Sequence, residues 1–341
     1  MKEIFFRVDT NDVVATGHIM RCLSIADAAS QAGYRPVFIL ADDNGQKRVE
    51  DRGYEAIILG SKWDDMEGEV DLLKDVMTRR GIKSLIVDSY YATDEYFKAV
   101  SEFSKVIYVD DLGLFKFPVS GVICYANYYD KFKYIERFQE YGTSFYLGCK
   151  YVPLRKEFSN LPGKDIKDNI ETVLLMSGGG DQYHVLKQFI AALRKRYDFG
   201  LEVICGQYNT DYDELVQTYE EDDLVHIHKS VDDMIRYMQR ADVAVSAGGT
   251  TLYELSACGT PTLTYSFTDN QLDNVRKFQE DGLMKYLGDL RTDDVINNLL
   301  SAMDEYMDKD LRSKLSEGLQ QLVDGQGAGR LVEKMMREDK E

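Results

Sequence analysis

Short apolar runs rich in valine, isoleucine and phenylalanine alternate along this chain with longer segments of helical period, and that alternation limits the fold more than any other feature. "IFFRV" (4–8), "RPVFILA" (35–41), "YEAIIL" (54–59), "SLIVD" (84–88), "KVIYVD" (105–110) and "GVICY" (121–125) read as strands, with helices between most of them. Strands separated by helices pair in parallel, with helices covering both faces of the sheet. The helix expected over 18–32 directs Met20, Leu23, Ala26 and Ala28 to one side and stops at Gly33.

Over 153–169 the texture changes to "PLRKEFSNLPGKDIKDN", which holds two of the five prolines. The pattern then restarts with "ETVLLM" (171–176), "LEVIC" (201–205), "LVHI" (224–227), "ADVAVSA" (241–247) and "TPTLTY" (260–265), and only helix-period sequence remains after residue 291. A chain of 341 residues exceeds what one core usually organises. The expectation is an α/β protein of two Rossmann-like parallel-sheet domains, 1–158 and 168–312, facing a cleft, with C-terminal helices over 313–341.

A formal net charge of −18 argues against nucleic acid or an anionic membrane as partner, so an anionic ligand must be held by local donors. No apolar run approaches the roughly 18 residues of a membrane span. "MKEIFFRV" lacks the uninterrupted apolar stretch of a signal peptide. Cys22, Cys124, Cys149, Cys205 and Cys258 are scattered, with no C-x-x-C pair, so neither a disulfide framework nor a thiolate zinc site is expected. Together these features predict a cytoplasmic protein.

Ligands of open parallel sheets sit at the carboxyl ends of strands. In "ADVAVSAGGTTLYELSACGTP" (241–261) a strand runs into Gly248 and Gly249, and Thr250 and Thr251 open a helix whose free N–H groups suit a phosphate. Glu254 either accepts ribose hydroxyls or neutralises the helix start, and spacing leaves both open. "VLLMSGGGDQYHVL" (173–186) repeats the device with Ser177, Gly178, Gly179, Gly180 and Asp181. Neither stretch is a Walker A loop or a well-formed G-x-G-x-x-G, so a substituted nucleoside diphosphate is favoured over ATP or NAD. Asn270 and Gln271 in "TDNQLDNV" offer amides to a sugar, or simply begin a helix.

In the first half, "RVDTNDVVATGHIMRCLSIADAA" (7–29) sets His18 after the hinge of Gly17, between strand and helix. It is a base or a cap on residues alone. A helix start disfavours the imidazolium and keeps the ring able to accept a proton. Asp9 stands ready to orient it; Arg7, Asp88, Tyr90 and Asn127 are candidate contacts for the same substrate. His226 and His228 in "VHIH" read as surface residues and His184 as a packing or capping residue. No D-x-D element stands at a sheet end, so the chemistry is expected to be metal-independent, without a cofactor.

The order of "MSGGGD", "AGGTTLYELSACGTPTL" and "DNQ" resembles the donor half of GT-B nucleotide-sugar enzymes, such as the N-acetylglucosaminyl transferase of lipid II synthesis. "FRVDTNDVVATGHIMRCLSIADA", "LIVDSYYATDEY", "YVDDL" and "GCKYVPLRKEF" resemble one branch of that group, the UDP-sugar hydrolases of pseudaminic acid biosynthesis. The resemblance implies a GT-B-like fold and inverting removal of UDP from a diacetamido-trideoxy hexose, with His18 as base. Two other functions stay open: a GT-B glycosyltransferase for a surface polysaccharide, and a non-catalytic UDP-sugar-binding protein. The sequence departs from the hydrolase pattern at Ala15, where that branch has glycine, and at "GLFKFPVSG" after "YVDDL".

Overall fold

The computed structural model describes residues 2–11 and 16–338. The chain forms two compact units, Met1–Lys156 with Gln326–Glu341, and Glu157–Gly325. The first holds β1 (Glu3–Val8), α1 (Gly17–Gln31), β2 (Arg35–Leu40), α2 (Gln46–Asp51), β3 (Glu55–Ile58), α3 (Val70–Arg80), β4 (Ser84–Asp88), α4 (Asp94–Ser101), β5 (Lys105–Val109), β6 (Gly121–Cys124), α5 (Tyr134–Phe138) and β7 (Ser144–Leu147). The second holds β8 (Thr172–Met176), α6 (Val185–Arg194), β9 (Gly200–Cys205), α7 (Tyr212–Thr218), β10 (Val225–Lys229), α8 (Met234–Arg240), β11 (Val243–Ala247), α9 (Thr251–Cys258), β12 (Thr262–Ser266), α10 (Asp269–Glu280), β13 (Lys285–Asp289), α11 (Val295–Tyr306) and α12 (Lys309–Leu322). The last helix, α13 (Gly327–Glu338), returns to the first unit and packs on α1. The C-terminal helices, expected as one group over 313–341, thus divide between the units.

Both sheets are parallel throughout, in the orders β3-β2-β1-β4-β5-β6-β7 and β10-β9-β8-β11-β12-β13. In each, strand order reverses once: β1 pairs with β2 on one side and β4 on the other, and β8 pairs likewise with β9 and β11. Loops leaving the strands on either side of a reversal diverge to opposite faces and open a crevice. Val8 stands opposite Asp88 at the first reversal, and Met176 opposite Ser246 at the second.

Alternate strand residues explain the burial. Phe5, Val37, Leu85, Val87, Val106 and Val122 form one core with Leu73 and Met77 of α3 and Tyr96, Phe97 and Val100 of α4. In the second unit, Val173, Leu175, Leu201, Val203, Val243 and Val245 pack on Phe189, Ile190 and Leu193 of α6 and Leu299 and Met303 of α11. The expected single-sided pattern of α1 is corrected: Met20 and Ala28 are only half-buried, while Ile19, Cys22, Leu23, Ile25 and Ala29 are enclosed. Contact with β1, β2 and α13 buries most of the helix circumference. The sequence missed β7 and β13, both short strands at sheet edges with half-exposed ends.

Arg7 and Asp9, expected near the substrate, are used internally. The buried Arg7 guanidinium binds Glu69 through Nε at 2.6 Å and Nη2 at 2.7 Å, and Asp9 through Nη1 at 2.6 Å. The other Asp9 oxygen accepts the N–H of Ala41 at 2.8 Å, and Ser61 donates to Glu69 at 2.9 Å. The network fixes the carboxyl end of β1 against β2 and the turn before α3. Glu69→Gln leaves the enclosed guanidinium short of a counter-charge, and unfolding by urea should show a loss of about 3–5 kcal/mol.

Candidate functional site

At the reversal of the second sheet lies a cavity of about 560 Å3, within the usual range for a small-molecule site. Ser177 to Asp181 after β8, Gly206 after β9, Ser230 and Val231 after β10, Gly249, Thr251 and Glu254 after β11, and Phe267 and Gln271 after β12 all line it. Ser177 is buried, and its hydroxyl has no hydrogen-bond partner among the described residues, so it is available to a ligand. Gly178 takes a positive φ of 84°, which a side chain resists. A Cβ on Gly206 would stand 2.1 Å from the Gly178 carbonyl oxygen, so this glycine lets the 178–180 loop fold over the end of β9.

The two glycine turns are not equivalent. Asp181 caps α6, accepting the N–H groups of Val185 at 2.9 Å and Leu186 at 3.0 Å. Its carboxyl pKa is raised by burial, an effect those two N–H donors partly offset. Asp181, expected among the nucleotide contacts, lines the cavity while its carboxylate is committed to the start of α6. Thr250 precedes α9 without a side-chain cap bond, and the N–H groups of Leu252 and Tyr253 are met by the carbonyls of Gly249 and Thr250 at 3.2 and 3.0 Å. Gly248 is enclosed, its absent Cβ making room for Val275 at 2.3 Å, while Thr250 points to solvent. Sequence reasoning missed Asn274 of α10, which donates to the carbonyls of Gly248 at 3.0 Å and Gly249 at 3.3 Å and accepts from Tyr253 at 2.8 Å. Gln271 reaches the cavity and accepts the N–H of Phe267 at 3.0 Å; the exposed Asn270 accepts from Thr268 at 2.6 Å.

At the reversal of the first sheet, His18 lies in the first turn of α1, after exposed Gly17, and is 5% exposed. Its Nδ1 is 2.5 Å from Asp88 Oδ1 at the end of β4. Arg21, one turn on, forks across the same carboxylate, with Nε 2.6 Å from Oδ2 and Nη2 2.5 Å from Oδ1. Its Nη1 donates to Asp111 and to the Tyr125 hydroxyl, each at 2.9 Å. Tyr90 donates to Asp111 at 3.1 Å and sets its ring edgewise to His18, centroids 4.4 Å apart.

Burial opposes ionisation of Asp88, but the charge of Arg21 and the contact with His18 prevail and hold its carboxyl well below the usual range. Burial pushes the Tyr125 hydroxyl up to about 12, and burial with the charge of Asp111 raises that of Tyr90, so both stay protonated. An ionised carboxylate only accepts, so Nδ1 of His18 carries a proton, and in the neutral ring the lone pair is then on Nε2. Asp88, expected on a rim facing substrate, is corrected to an enclosed partner of His18. Arg21, Asp111 and Tyr125 were missed; the one signal for Arg21 was its i+3 spacing from His18.

Asn127 is buried after β6. Ala15 lies outside the described residues. His184 pairs with Asp211 at 2.5 Å, His228 with Glu202 at 2.6 Å, and His226 is exposed. All five cysteines are buried and free. Among the described residues, no helix is long and apolar enough to cross a membrane.

Residues 158–317, nearly all of the second unit, match the family model for glycosyl transferases group 1. Protein MJ1062 of Methanocaldococcus jannaschii is 25% identical over 259 residues, covering 72% of this chain and 52% of that protein. The spore coat polysaccharide biosynthesis protein SpsG of Bacillus subtilis is 27% identical over 198 residues, covering 56% of this chain and 58% of SpsG. The chain spans about half the length of the curated relatives it matches. Among solved structures, MurG of Acinetobacter baumannii superposes with a TM-score of 0.71 at 13% identity, over 99% of this chain and 100% of that one. MnaA of S. aureus, solved with UDP, gives 0.67 at 13% identity, over 97% and 95%. The fold is therefore GT-B, two Rossmann-like parallel-sheet domains.

Two measurements check these sites. Gly206→Ala forces the 178–180 loop off β9, and urea unfolding should show a loss of about 1–3 kcal/mol. Because the folded chain holds the Asp88 carboxyl below its unfolded value, its ionisation stabilises the fold fully above the ordinary carboxylate range and less as pH falls through the folded value. Unfolding free energy of wild type should therefore drop more steeply below about pH 4 than that of Asp88→Asn.

Proposed function

We propose that the protein is a nucleotide-sugar hydrolase that removes UDP from a diacetamido-trideoxy hexose by inverting attack of water, in nonulosonic (pseudaminic) acid biosynthesis. The observation that carries this reading is the 2.5 Å contact of His18 Nδ1 with the buried Asp88 carboxylate, which leaves Nε2 as a proton acceptor. Water attacks the anomeric carbon and gives its proton to Nε2. The bond from that carbon to the diphosphate oxygen breaks, and its electron pair leaves with UDP. UDP is a weak base, so its departure needs charge stabilisation rather than a proton. In the second unit the glycine-loop backbone, the Ser177 hydroxyl and the start of α9 line one cavity and are suited to such a charge. Glu254 is assigned to the ribose, Tyr90 and Asn127 to the sugar, and no metal or cofactor takes part.

A second reading has support in the match of residues 158–317 to group 1 glycosyl transferases. The same base would then deprotonate an acceptor hydroxyl in place of water. Wild type offered UDP-linked diacetamido-trideoxy hexoses in isotopically labelled water should release UDP and a reducing sugar of inverted anomeric configuration carrying the label. His18→Ala should slow release by about a thousandfold while binding UDP as before. Release only on adding an acceptor alcohol would establish transfer, and UDP-sugar binding without turnover under either condition would leave a binding protein.

A further inference from the structure

We propose that Arg21 is a positioning residue that sets the tautomer of His18, by gripping both oxygens of Asp88 and anchoring that grip to Asp111 and Tyr125. The inference rests on the reading of His18 as the base and names what makes it one.

A neutral imidazole is a base at Nε2 only while its proton stays on Nδ1, and an untethered histidine ring prefers the opposite tautomer. Asp88 corrects that preference only if it stays ionised and cannot rotate. Its burial works against the first, because a carboxyl group away from water tends to take a proton. Arg21 answers this from two directions. Its planar fork meets the carboxylate edge-on, at 2.6 Å and 2.5 Å, a pairing that fixes the plane of the acceptor as well as its charge. Arg21 Nη2 also lies 3.0 Å from His18 Nδ1, but a guanidinium nitrogen already bonded to Oδ1 only donates. Nδ1 therefore resolves its 2.5 Å contact with Asp88 by carrying the proton itself.

The far side of the guanidinium is held equally firmly. Asp111 and the Tyr125 hydroxyl both accept from Nη1 at 2.9 Å. Tyr90 closes the circuit through its bond to Asp111 and its ring edge on His18. Lysine in place of arginine keeps the charge but cannot grip two oxygens in one plane. The first two turns of α1 thus carry the base and the group that organises it, while the carboxylates come from β4 and the loop after β5.

The chain has four histidines, so nitrogen-15 spectra of histidine-labelled protein resolve His18 by comparison with His18→Ala. At alkaline pH, wild type should show His18 protonated on Nδ1 and bare on Nε2. Arg21→Gln should shift it toward the Nε2-protonated form and lower kcat by about a hundredfold or more with little change in KM; Arg21→Lys should fall between. Asp111→Asn, which loosens the far end of the fork and weakens the bond that holds Tyr90, should shift the tautomer the same way by less, and serves if Arg21→Gln does not fold. An unchanged His18 tautomer in a folded Arg21→Gln or Asp111→Asn variant would overturn the proposal, as would a kcat loss that tracks lowered thermal stability alone. If His18→Ala retains turnover, the base reading fails while the spectra still decide what Arg21 does.

Discussion

The parallel pairing of β1 with β4, and of β8 with β11, is the constraint on which the rest depends. A parallel strand pair cannot be closed by a tight turn, so each crossover helix returns the chain over one face of the sheet. Where the order reverses, the two departing loops part, and backbone and side chains at the strand ends become reachable by a ligand. Both candidate sites lie at these reversals. His18 and Asp88 approach each other across 70 residues because Val8 and Asp88 are neighbours in the sheet. The glycine loops after β8 and β11 converge for the same topological reason.

Burial then gives each polar group a narrow task. In the first unit two arginine-carboxylate clusters lie close along the chain but serve different ends. Arg7 is sealed among Glu69 and Asp9 and secures strand ends and a turn. Arg21 holds Asp88, whose partner His18 presents the remaining nitrogen. In the second unit, Asp181 accepts two N–H groups at the start of α6, while Thr250 makes no such bond at the start of α9.

Much of this was legible in the residues. Among the described residues, eleven of the thirteen strands stand where apolar β-branched runs placed them, because strands buried on both faces need continuous apolar sequence. The two missed strands border water and carry a weaker signal. Gly178 announced a tight turn through its own backbone freedom. Gly206 gave no such sign, since its need comes from a carbonyl 28 residues away in the chain. The polar residues were harder still: Arg7, Asp9, Asp88 and Asp181 are chemically able to meet a ligand, and sequence could not say that the protein itself meets them.

By itself the sequence determined the α/β class, the two-unit division, the glycine turns at strand ends and a histidine at a helix start, because these follow from local period, backbone freedom and chain order. Only the tertiary structure decided which carboxylate faces that histidine, which guanidinium restrains the carboxylate, and which helix start stays uncapped. Those outcomes depend on strand register and on competition among buried donors and acceptors far apart in the chain. A residue's type states which hydrogen bonds it is able to make, and its neighbours in space determine which of them it makes.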